Sequence, residues 1–371
     1  MKWQLIESDA ALAQLVQDNS GAEAVAVDTE FMRRNTFYPE VALVQLCFGP
    51  DAWLIDPLTL TDLQPLRELL LNPSIIKVLH SASEDLEVFD HWLGTLPAPL
   101  FDTQRAAALV NRGFGMGYRA LVLDICGVEL PKGETRSDWL QRPLTASQCE
   151  YAAQDVAHLL PVWRHLQEAC VAQGKLDWVL ADGEDTLAAF RAPAANFAQR
   201  IKSAWKLDQR QLASLYAICD WRERVARQRN KPRGWIIDDQ TCFELARLSP
   251  DSQAGLAAVE GLGAGVIRRD GETLLTLLRE QRALPPESLP QRLPQPLDVN
   301  GRKQLSRLKA RARSLAQEHG VAPEVLLQGK DYELLLRQAA GEELPDQPSW
   351  SGWRRAAAVA PLRRMLAGDQ S

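Results

Sequence analysis

Two acidic side chains in an apolar segment are the first residues of this chain whose types and spacing could do chemistry. Asp28 and Glu30 lie two apart in AVAVDTEF, a run with the length and composition of a strand. Side chains two apart in a strand leave the same face of a sheet. Carboxylates in apolar surroundings are costly unless cations, hydrogen bonds or solvent compensate their charge. The pair is therefore either a candidate cation site or an acidic strand end in solvent.

Three further polar residues could join this pair. Asp85 follows the strand-like run IIKVL and begins a predicted helix; an acid there is also explained by the helix dipole. Tyr151 and Asp155 are four apart in a helical run, so they share one face with Cβ atoms about 5 to 6 Å apart. Each has an ordinary structural explanation when taken alone.

The elements that would position these residues follow from the hydrophobic pattern. Four apolar or β-branched runs predict strands at 24–31, 41–48, 52–55 and 75–79. Helical patterns are predicted at Leu63–Leu71, Glu84–Leu93, Thr103–Val110 and from Thr145 onward. Thr145 and Gln148 form a capping box at the start of the last of these. The first half is therefore predicted to be a mixed α/β layer structure.

Composition places the chain among globular proteins without a secretory or membrane signal. The 371 residues are 46% hydrophobic and 24% charged, and the first residues, MKWQLIESDAALAQ, lack the features of a secretory signal. We therefore expect a cytoplasmic protein. The six cysteines are scattered singly, which indicates neither a zinc site nor a disulfide framework.

Charge is divided unevenly along the chain. Residues 1–190 contain 13 Lys and Arg against 27 Asp and Glu, a balance of -14, and residues 191–371 contain 29 against 21, a balance of +8. An acidic half can gather cations, while a basic half can attract phosphate. An ordinary solvated surface explains the second half equally well.

The order and context of the five residues resemble the three motifs of the DEDD exonuclease superfamily. The segments VDTEFMRRNTFYPEVALVQL, HSASEDLEVF and KGETRSDWLQRPLTASQCEYAAQDVAHLLPVW are similar to those of bacterial ribonuclease D over residues 1–175. A tyrosine four residues before the last aspartate is typical of the tyrosine branch of this superfamily. The resemblance implies a ribonuclease H-like α/β exonuclease domain in which Asp28, Glu30, Asp85 and Asp155 bind metal and Tyr151 assists catalysis.

The second half of the chain is predicted to be helical. Residues 208–282 resemble an HRDC domain, a small helical bundle that follows the exonuclease domain in ribonuclease D. We predict an exonuclease domain at 1–190, an HRDC domain at 208–284, a proline-rich linker at 285–300, and a second HRDC-like domain with a tail at 301–371. The fold class is therefore α/β followed by two all-α domains.

The chemistry follows if the four carboxylates converge. Two unit charges about 4 Å apart repel by ~4 kcal/mol at an effective dielectric constant near 20, so cations must offset them. All-oxygen ligands favour Mg²⁺ or Mn²⁺. Two such ions can activate a water and stabilise the departing 3′-oxygen of a phosphodiester. Tyr151, with an ordinary pKa near ~10, is better suited to position the water than to act as a base.

Four other residues invite functional interpretations. His80 ends an apolar strand, where a structural hydrogen-bonding role is favoured over catalysis. Asp102 is predicted to cap the helix that begins at Thr103 rather than to bind metal. Lys132 and Arg136, in the segment KGETRSDW, are candidate phosphate or scaffold contacts.

The resemblance implies a 3′-to-5′ exoribonuclease that matures precursors of tRNA and other small structured RNAs. The mechanism predicts 5′-mononucleotides as products, and we expect the chain to be a monomer. Two alternatives stay open. The same metal site could cut DNA, because sugar selection depends on contacts to the 2′-hydroxyl that the sequence does not show. A non-catalytic RNA-binding adaptor would keep the acidic residues without using them.

Overall fold

The computed structural model describes residues 2–131, 133, 137–192 and 197–368. Its contacts divide the chain into two compact units. The first unit contains residues 1–32, 39–192 and 298–371, and the second contains residues 33–38 and 193–297.

A six-stranded mixed sheet forms the centre of the first unit. Its strands are β1 (Lys2–Ile6), β2 (Ala24–Met32), β3 (Glu40–Cys47), β4 (Asp51–Ile55), β5 (Ile76–Leu79) and β6 (Leu100–Asp102). Their order across the sheet is β1-β4-β3-β2-β5-β6. β3 is antiparallel to both β2 and β4, whereas the pairs β1 with β4, β2 with β5 and β5 with β6 are parallel.

The four predicted strands are confirmed as β2 to β5, and the sequence missed β1 and β6. β6 has only three residues, and β1 joins the sheet through β4, which is distant in sequence. β2 lies between an antiparallel and a parallel neighbour. A register shift between Glu30 and Phe31 marks an irregularity in its pairing with β3. The strand that carries the first two acidic residues is thus an interior strand of the sheet.

Helices cover the sheet of the first unit. They are α1 (Asp9–Asp18), α2 (Gln64–Leu71), α3 (Ser83–Leu93), α4 (Thr103–Leu109), α5 (Tyr118–Cys126), α6 (Ala146–Ala157), α7 (Leu159–Ala172) and α8 (Leu176–Arg191). Leucine, isoleucine, valine and phenylalanine side chains of the sheet, α1, α2 and α3 share one buried cluster. The helices predicted at Leu63, Glu84, Thr103 and Thr145 are confirmed within one residue of their predicted starts.

The second unit is helical. It contains α9 (Gln209–Arg229), α10 (Arg233–Ile236), α11 (Asp239–Leu248), α12 (Gln253–Ala257) and α13 (Ala264–Ala283), with short 3₁₀ turns at Phe197–Arg200, Ala204–Lys206 and Pro286–Ser288. Its buried cluster includes Phe37 from the segment between β2 and β3. The side-chain oxygen of Asn230 accepts hydrogen bonds from the backbone N–H groups of Phe37 and Tyr38 at 2.9 and 3.0 Å.

Helices at the C-terminal end pack within the first unit. They are α14 (Val299–His319), α15 (Pro323–Leu326), α16 (Gly329–Ala339), α17 (Gly352–Arg354), a π-helical turn at Arg355–Val359, and α18 (Ala360–Gly368), with a 3₁₀ turn at Pro348–Trp350.

Polar and aromatic contacts attach these helices to the part of the same unit that contains the sheet. The Lys175 ammonium donates to the carbonyl of Gly320 at 2.7 Å. Arg354 is buried and forms ion pairs with Asp182 and Asp185. The rings of Trp178 and Trp353 stack with centroids 4.4 Å apart. Residues 298–368 therefore form part of the body that carries the sheet.

The predicted fold class, a mixed sheet flanked by helices and followed by helical regions, is confirmed. The domain boundaries remain a prediction. The contacts within the structure place residues 298–371 in the same unit as the sheet. None of the described helices combines the length and the apolar composition that crossing a bilayer requires.

Candidate active site

Strand β2 presents two acidic residues on one face and a threonine on the other. Asp28 and Glu30 are partly buried, and Thr29 between them is buried. The alternation of a strand directs Thr29 away from its two neighbours. Its hydroxyl donates a hydrogen bond to Oδ1 of Asp85 at 2.5 Å. One strand therefore supplies two candidate ligands and also holds a third.

Asp85 lies in the first turn of α3, and the start of that helix is fixed by Asp102. Ser81 adopts a left-handed backbone conformation with φ of 60°. The two carboxylate oxygens of Asp102 accept the backbone N–H groups of Ser81 and Ala82, each at 3.0 Å. Asp102 also caps α4 by accepting the N–H of Gln104 at 2.9 Å. The predicted cap is confirmed, and the same carboxylate sets the turn that leads to Asp85.

The capping box predicted for α6 is confirmed. The Thr145 hydroxyl accepts the N–H of Gln148 at 3.1 Å, and Oε1 of Gln148 accepts the N–H of Thr145 at 2.9 Å. Near the other end of α6, the Tyr118 hydroxyl donates to the carbonyl of Gln154 and accepts the N–H of His158, both at 3.1 Å. Both ends of the helix that carries Tyr151 and Asp155 are therefore fixed.

Three of the four predicted ligands converge. Asp28, Glu30 and Asp155 offer carboxylate oxygens that all lie within 4.8 Å of one another. Asp85 stands beside this group, and its negative charge raises the pKa of both Asp28 and Glu30. Oxygen is the only donor element in the set, so the site fits a hard divalent cation rather than zinc.

Burial and mutual repulsion shift the pKa of each carboxyl upward. Burial, followed by the charges of Asp85, Asp155 and Glu30, raises the pKa of Asp28 well above its usual range. Burial and the charges of Asp155 and Asp85 raise the pKa of Glu30 to about 9. Burial raises the pKa of Asp85 and of Asp155 to about 7 each. Without a cation, this site therefore binds protons at neutral pH.

The phenol of Tyr151 is hydrogen-bonded to the carboxylate of Asp155, one helical turn away. Burial and the charges of Asp155, Glu30 and Asp28 raise the pKa of Tyr151 above its ordinary value. The indole of Trp139 lies beside the phenol ring, with centroids 6.1 Å apart. A phenol in this setting stays protonated near neutral pH and can donate a hydrogen bond.

Sequence reasoning missed Arg119, an exposed cation near Asp155. Its positive charge lowers the pKa of Asp155, opposing the effect of burial. Its guanidinium donates from Nε at 3.1 Å and from Nη2 at 2.5 Å to the carbonyl of Leu130. Arg119 and Tyr118 both belong to GYRALV. Their positions in the first turn of α5, next to α6, appear only after folding.

The other sequence hypotheses have different outcomes. The structural role predicted for His80 is confirmed: its Nδ1 lies 2.9 Å from the Thr103 hydroxyl, and its Nε2 lies 3.0 Å from the Met116 carbonyl. Lys132 and Arg136, proposed as phosphate or scaffold contacts, lie outside the described residues.

Comparison with known proteins agrees with this geometry. Residues 3–170 match the family model of a 3′-5′ exonuclease, and residues 211–278 match that of the HRDC domain. Ribonuclease D of Pseudomonas paraeruginosa is 44% identical over 357 residues, covering 95% of this chain and 94% of that protein. The chain belongs to the ribonuclease D family. Ribonuclease D of Escherichia coli K12 is 39% identical over 375 residues, covering 99% of each chain.

A solved structure supports the same assignment along the full length. The crystal structure of Escherichia coli RNase D, described as an exoribonuclease involved in structured RNA processing, matches with a TM-score of 0.91 and 37% identity. The match covers 99% of each chain. The protein is therefore a 3′-to-5′ exoribonuclease with an HRDC domain, and the adaptor alternative is wrong.

The raised pKa values generate a prediction about cation binding. A divalent cation needs ionised carboxylates, so its binding to Glu30, Asp85 and Asp155 must displace protons. Because these pKa values are about 9, 7 and 7, Mn²⁺ affinity should rise as the pH increases from about 7 to about 9. Calorimetry at neutral pH, in buffers with different ionisation enthalpies, measures the protons released.

An Asp155→Asn variant, which lacks one titrating carboxyl, should release fewer protons on binding Mn²⁺ than the parent chain. Binding heats that are identical in all buffers would show that the carboxyls are already ionised at neutral pH, which would contradict their raised pKa values.

Proposed function

We propose that this exoribonuclease removes nucleotides from RNA 3′ ends with two divalent cations, Mg²⁺ or Mn²⁺, held by Asp28, Glu30, Asp85 and Asp155. The observation that carries the proposal is the convergence of three carboxylates within 4.8 Å, with Asp85 fixed beside them by Thr29. Bound cations supply the positive charge that activates a water and stabilises the departing 3′-oxygen.

The side chains divide the work at this site. The four carboxylates hold the cations and exchange their own protons for them. Tyr151 donates its O–H to Asp155 and orients the attacking water by accepting a hydrogen bond from it as a neutral phenol, because its raised pKa makes the phenolate inaccessible at neutral pH. As the water oxygen bonds to phosphorus, the bond from phosphorus to the 3′-oxygen breaks. The product is a 5′-mononucleotide, and the 3′-oxygen takes up a proton to become the new 3′-hydroxyl.

The substrates that we propose are precursors of tRNA and other small structured RNAs with 3′ extensions. Support comes from family membership and from the Escherichia coli protein, which is described as acting in structured RNA processing. Action as a monomer in the cytoplasm stays a prediction. An assay with end-labelled RNA and DNA strands of the same sequence separates the exoribonuclease from the DNA exonuclease alternative.

Exposed cations on α14 are suited to attract the body of such an RNA. The helix contains six Lys and Arg residues between Arg302 and Arg313 and no acid in that stretch. The side chains of Arg302, Lys303 and Arg313 are exposed, while Leu308 and Ala312 are buried and attach the helix to its unit. The basic half therefore includes cations on the unit that carries the acidic site.

The ligand assignment predicts a loss of turnover in four variants. Asp28→Asn, Glu30→Gln, Asp85→Asn and Asp155→Asn each remove a charge that holds the cations and keep the side-chain volume. Each should lower kcat on a single-stranded RNA by roughly 10²-fold or more.

Glu84→Gln is the matched control, because Glu84 is an exposed acid next to Asp85 in the same helical turn and should tolerate the change. Circular dichroism would verify the fold of each variant. Turnover at the parental rate by the Asp155→Asn chain would refute the assignment.

Removing the Tyr151 hydroxyl tests its role in orienting water. Tyr151→Phe keeps the ring beside Trp139, so it should lower kcat by about 10²-fold and leave Mn²⁺ affinity nearly unchanged. Steady-state kinetics and calorimetry give the two numbers. A Phe variant that retains the parental kcat would reduce Tyr151 to a packing residue.

Neutralising α14 tests how RNA is attracted. Each lost phosphate contact lowers the slope of log affinity against log salt by roughly 0.7 to 0.9. The triple change Arg302→Gln, Lys303→Gln and Arg313→Gln should therefore weaken tRNA binding and flatten this slope. Turnover of a short RNA strand at saturating concentration should be unaffected.

Gln304→Ala, at an exposed uncharged position of the same helix, is the control for effects on the helix itself. Point substitutions are preferable to a fragment ending near residue 205, because that fragment would lack helices that pack with the sheet. If the triple variant kept the parental slope of log affinity against log salt, α14 would serve the stability of the fold or the binding of a protein partner instead of RNA.

A further inference from the structure

An aromatic ring stands exposed on the segment that leads into α5. The side chain of Phe114 is 52% exposed. Single exposed apolar residues are common on protein surfaces, so exposure alone decides nothing. Phe114 is distinguished by the backbone conformation of segment 111–117, NRGFGMG, and by the position of that segment in the fold.

Segment 111–117 has a defined conformation. Asn111, Gly113 and Gly115 adopt left-handed or extended positive φ values of 59°, 129° and 67°. These values suit glycine, which has no Cβ to clash. The carbonyl of Met116 accepts hydrogen bonds from Nε2 of His80 and Nε2 of Gln104, each at 3.0 Å. Phe114 thus lies between two glycines, on a segment that is anchored near its end by the hydrogen bonds of Met116.

The hydrogen bond from His80 to the Met116 carbonyl links the segment to the region of the acidic group. His80 is the first residue after β5, in the short stretch that leads to α3, the helix that carries Asp85. Phe114 lies four positions before Tyr118, so their Cα atoms lie within about 14 Å of each other. The Tyr118 hydroxyl is bonded to α6 next to Asp155, and its pKa is raised by burial and by the charges of Asp155 and Asp28. Segment 111–117 is therefore connected, through His80 and Tyr118, to the elements that carry Asp85 and Asp155.

An exonuclease that removes one nucleotide after another needs a hold on its substrate that does not depend on sequence. Stacking of a base on an aromatic ring provides this, because every base has a π-face. Arg119, exposed in the first turn of α5, adds a positive charge near Asp155. An exposed ring and a nearby cation fit a single strand, which offers both a base and a phosphate.

We propose that Phe114 is a stacking platform for an unpaired base of the RNA strand next to the cleaved nucleotide. This role rests on the proposed function and adds a substrate-positioning residue to it. The ring acts on the binding of the strand and takes no part in bond cleavage. Its removal should therefore raise KM and leave kcat unchanged.

Steady-state kinetics of the full-length, Mn²⁺-loaded enzyme on short oligoribonucleotides test this role. Phe114→Ala should raise KM by about 5- to 150-fold, the range expected for loss of one stacked base, with the parental kcat and salt dependence. Phe114→Trp should restore the parental KM, whereas Phe114→Leu, which keeps apolar volume without a π-face, should not. Leu71→Ala is the matched control, because Leu71 is 53% exposed on α2, before β5 begins.

A series of oligoribonucleotides with one abasic residue at successive positions identifies the stacked base. The parent enzyme should show a raised KM at one position near the 3′ end, and Phe114→Ala should show no additional loss at that position. A parental KM for Phe114→Ala, full activity of Phe114→Leu, or an equal abasic penalty in both enzymes would each overturn the proposal. Failure of the proposed function would appear differently, as absence of hydrolysis by the parent chain.

Discussion

The repulsion between carboxylates that are partly withdrawn from water is the constraint on which the rest of this structure depends. Asp28, Glu30 and Asp155 come within 4.8 Å of one another, and Asp85 stands close enough to raise the pKa of two of them. Such a group tends to move apart or to bind protons. The fold keeps the carboxylates close together, so a bound cation offsets their repulsion and cation binding is favoured.

Keeping the carboxylates close together requires rigid elements, and each proposed ligand is supported by a different part of the structure. β2 pairs with β3 along the segment that contains Asp28 and Glu30, so these two residues cannot be displaced without disrupting that pair of strands. Thr29 and Asp102 fix Asp85 and the start of its helix. The capping box and Tyr118 fix the two ends of α6. The capping box is local, whereas the other supporting hydrogen bonds connect parts of the chain that are far apart in sequence.

This distinction explains what the sequence could and could not predict. Strand alternation placed Asp28 and Glu30 on one face, and local capping chemistry located the start of α6, because both signals lie within a few residues. The hydrogen bond from Thr29 to Asp85 joins residues 56 apart, so no local pattern indicates it. Likewise, α14 and its neighbours show ordinary helical patterns that do not indicate where they pack. Their contacts in the folded structure, such as those with Lys175 and Asp182, place them against the part of the unit that contains the sheet.

The packing of residues 298–368 with the sheet changes how the uneven charge of the chain should be interpreted. Along the sequence, the acidic half and the basic half look like separate bodies. In the structure, the unit that contains the acidic site also contains residues 298–371, with 12 Lys and Arg against 9 Asp and Glu. Cations on the same unit keep a constant relation to Asp28, Glu30, Asp85 and Asp155. The cations that we propose to attract RNA and the carboxylates that we propose to bind metal therefore belong to one body.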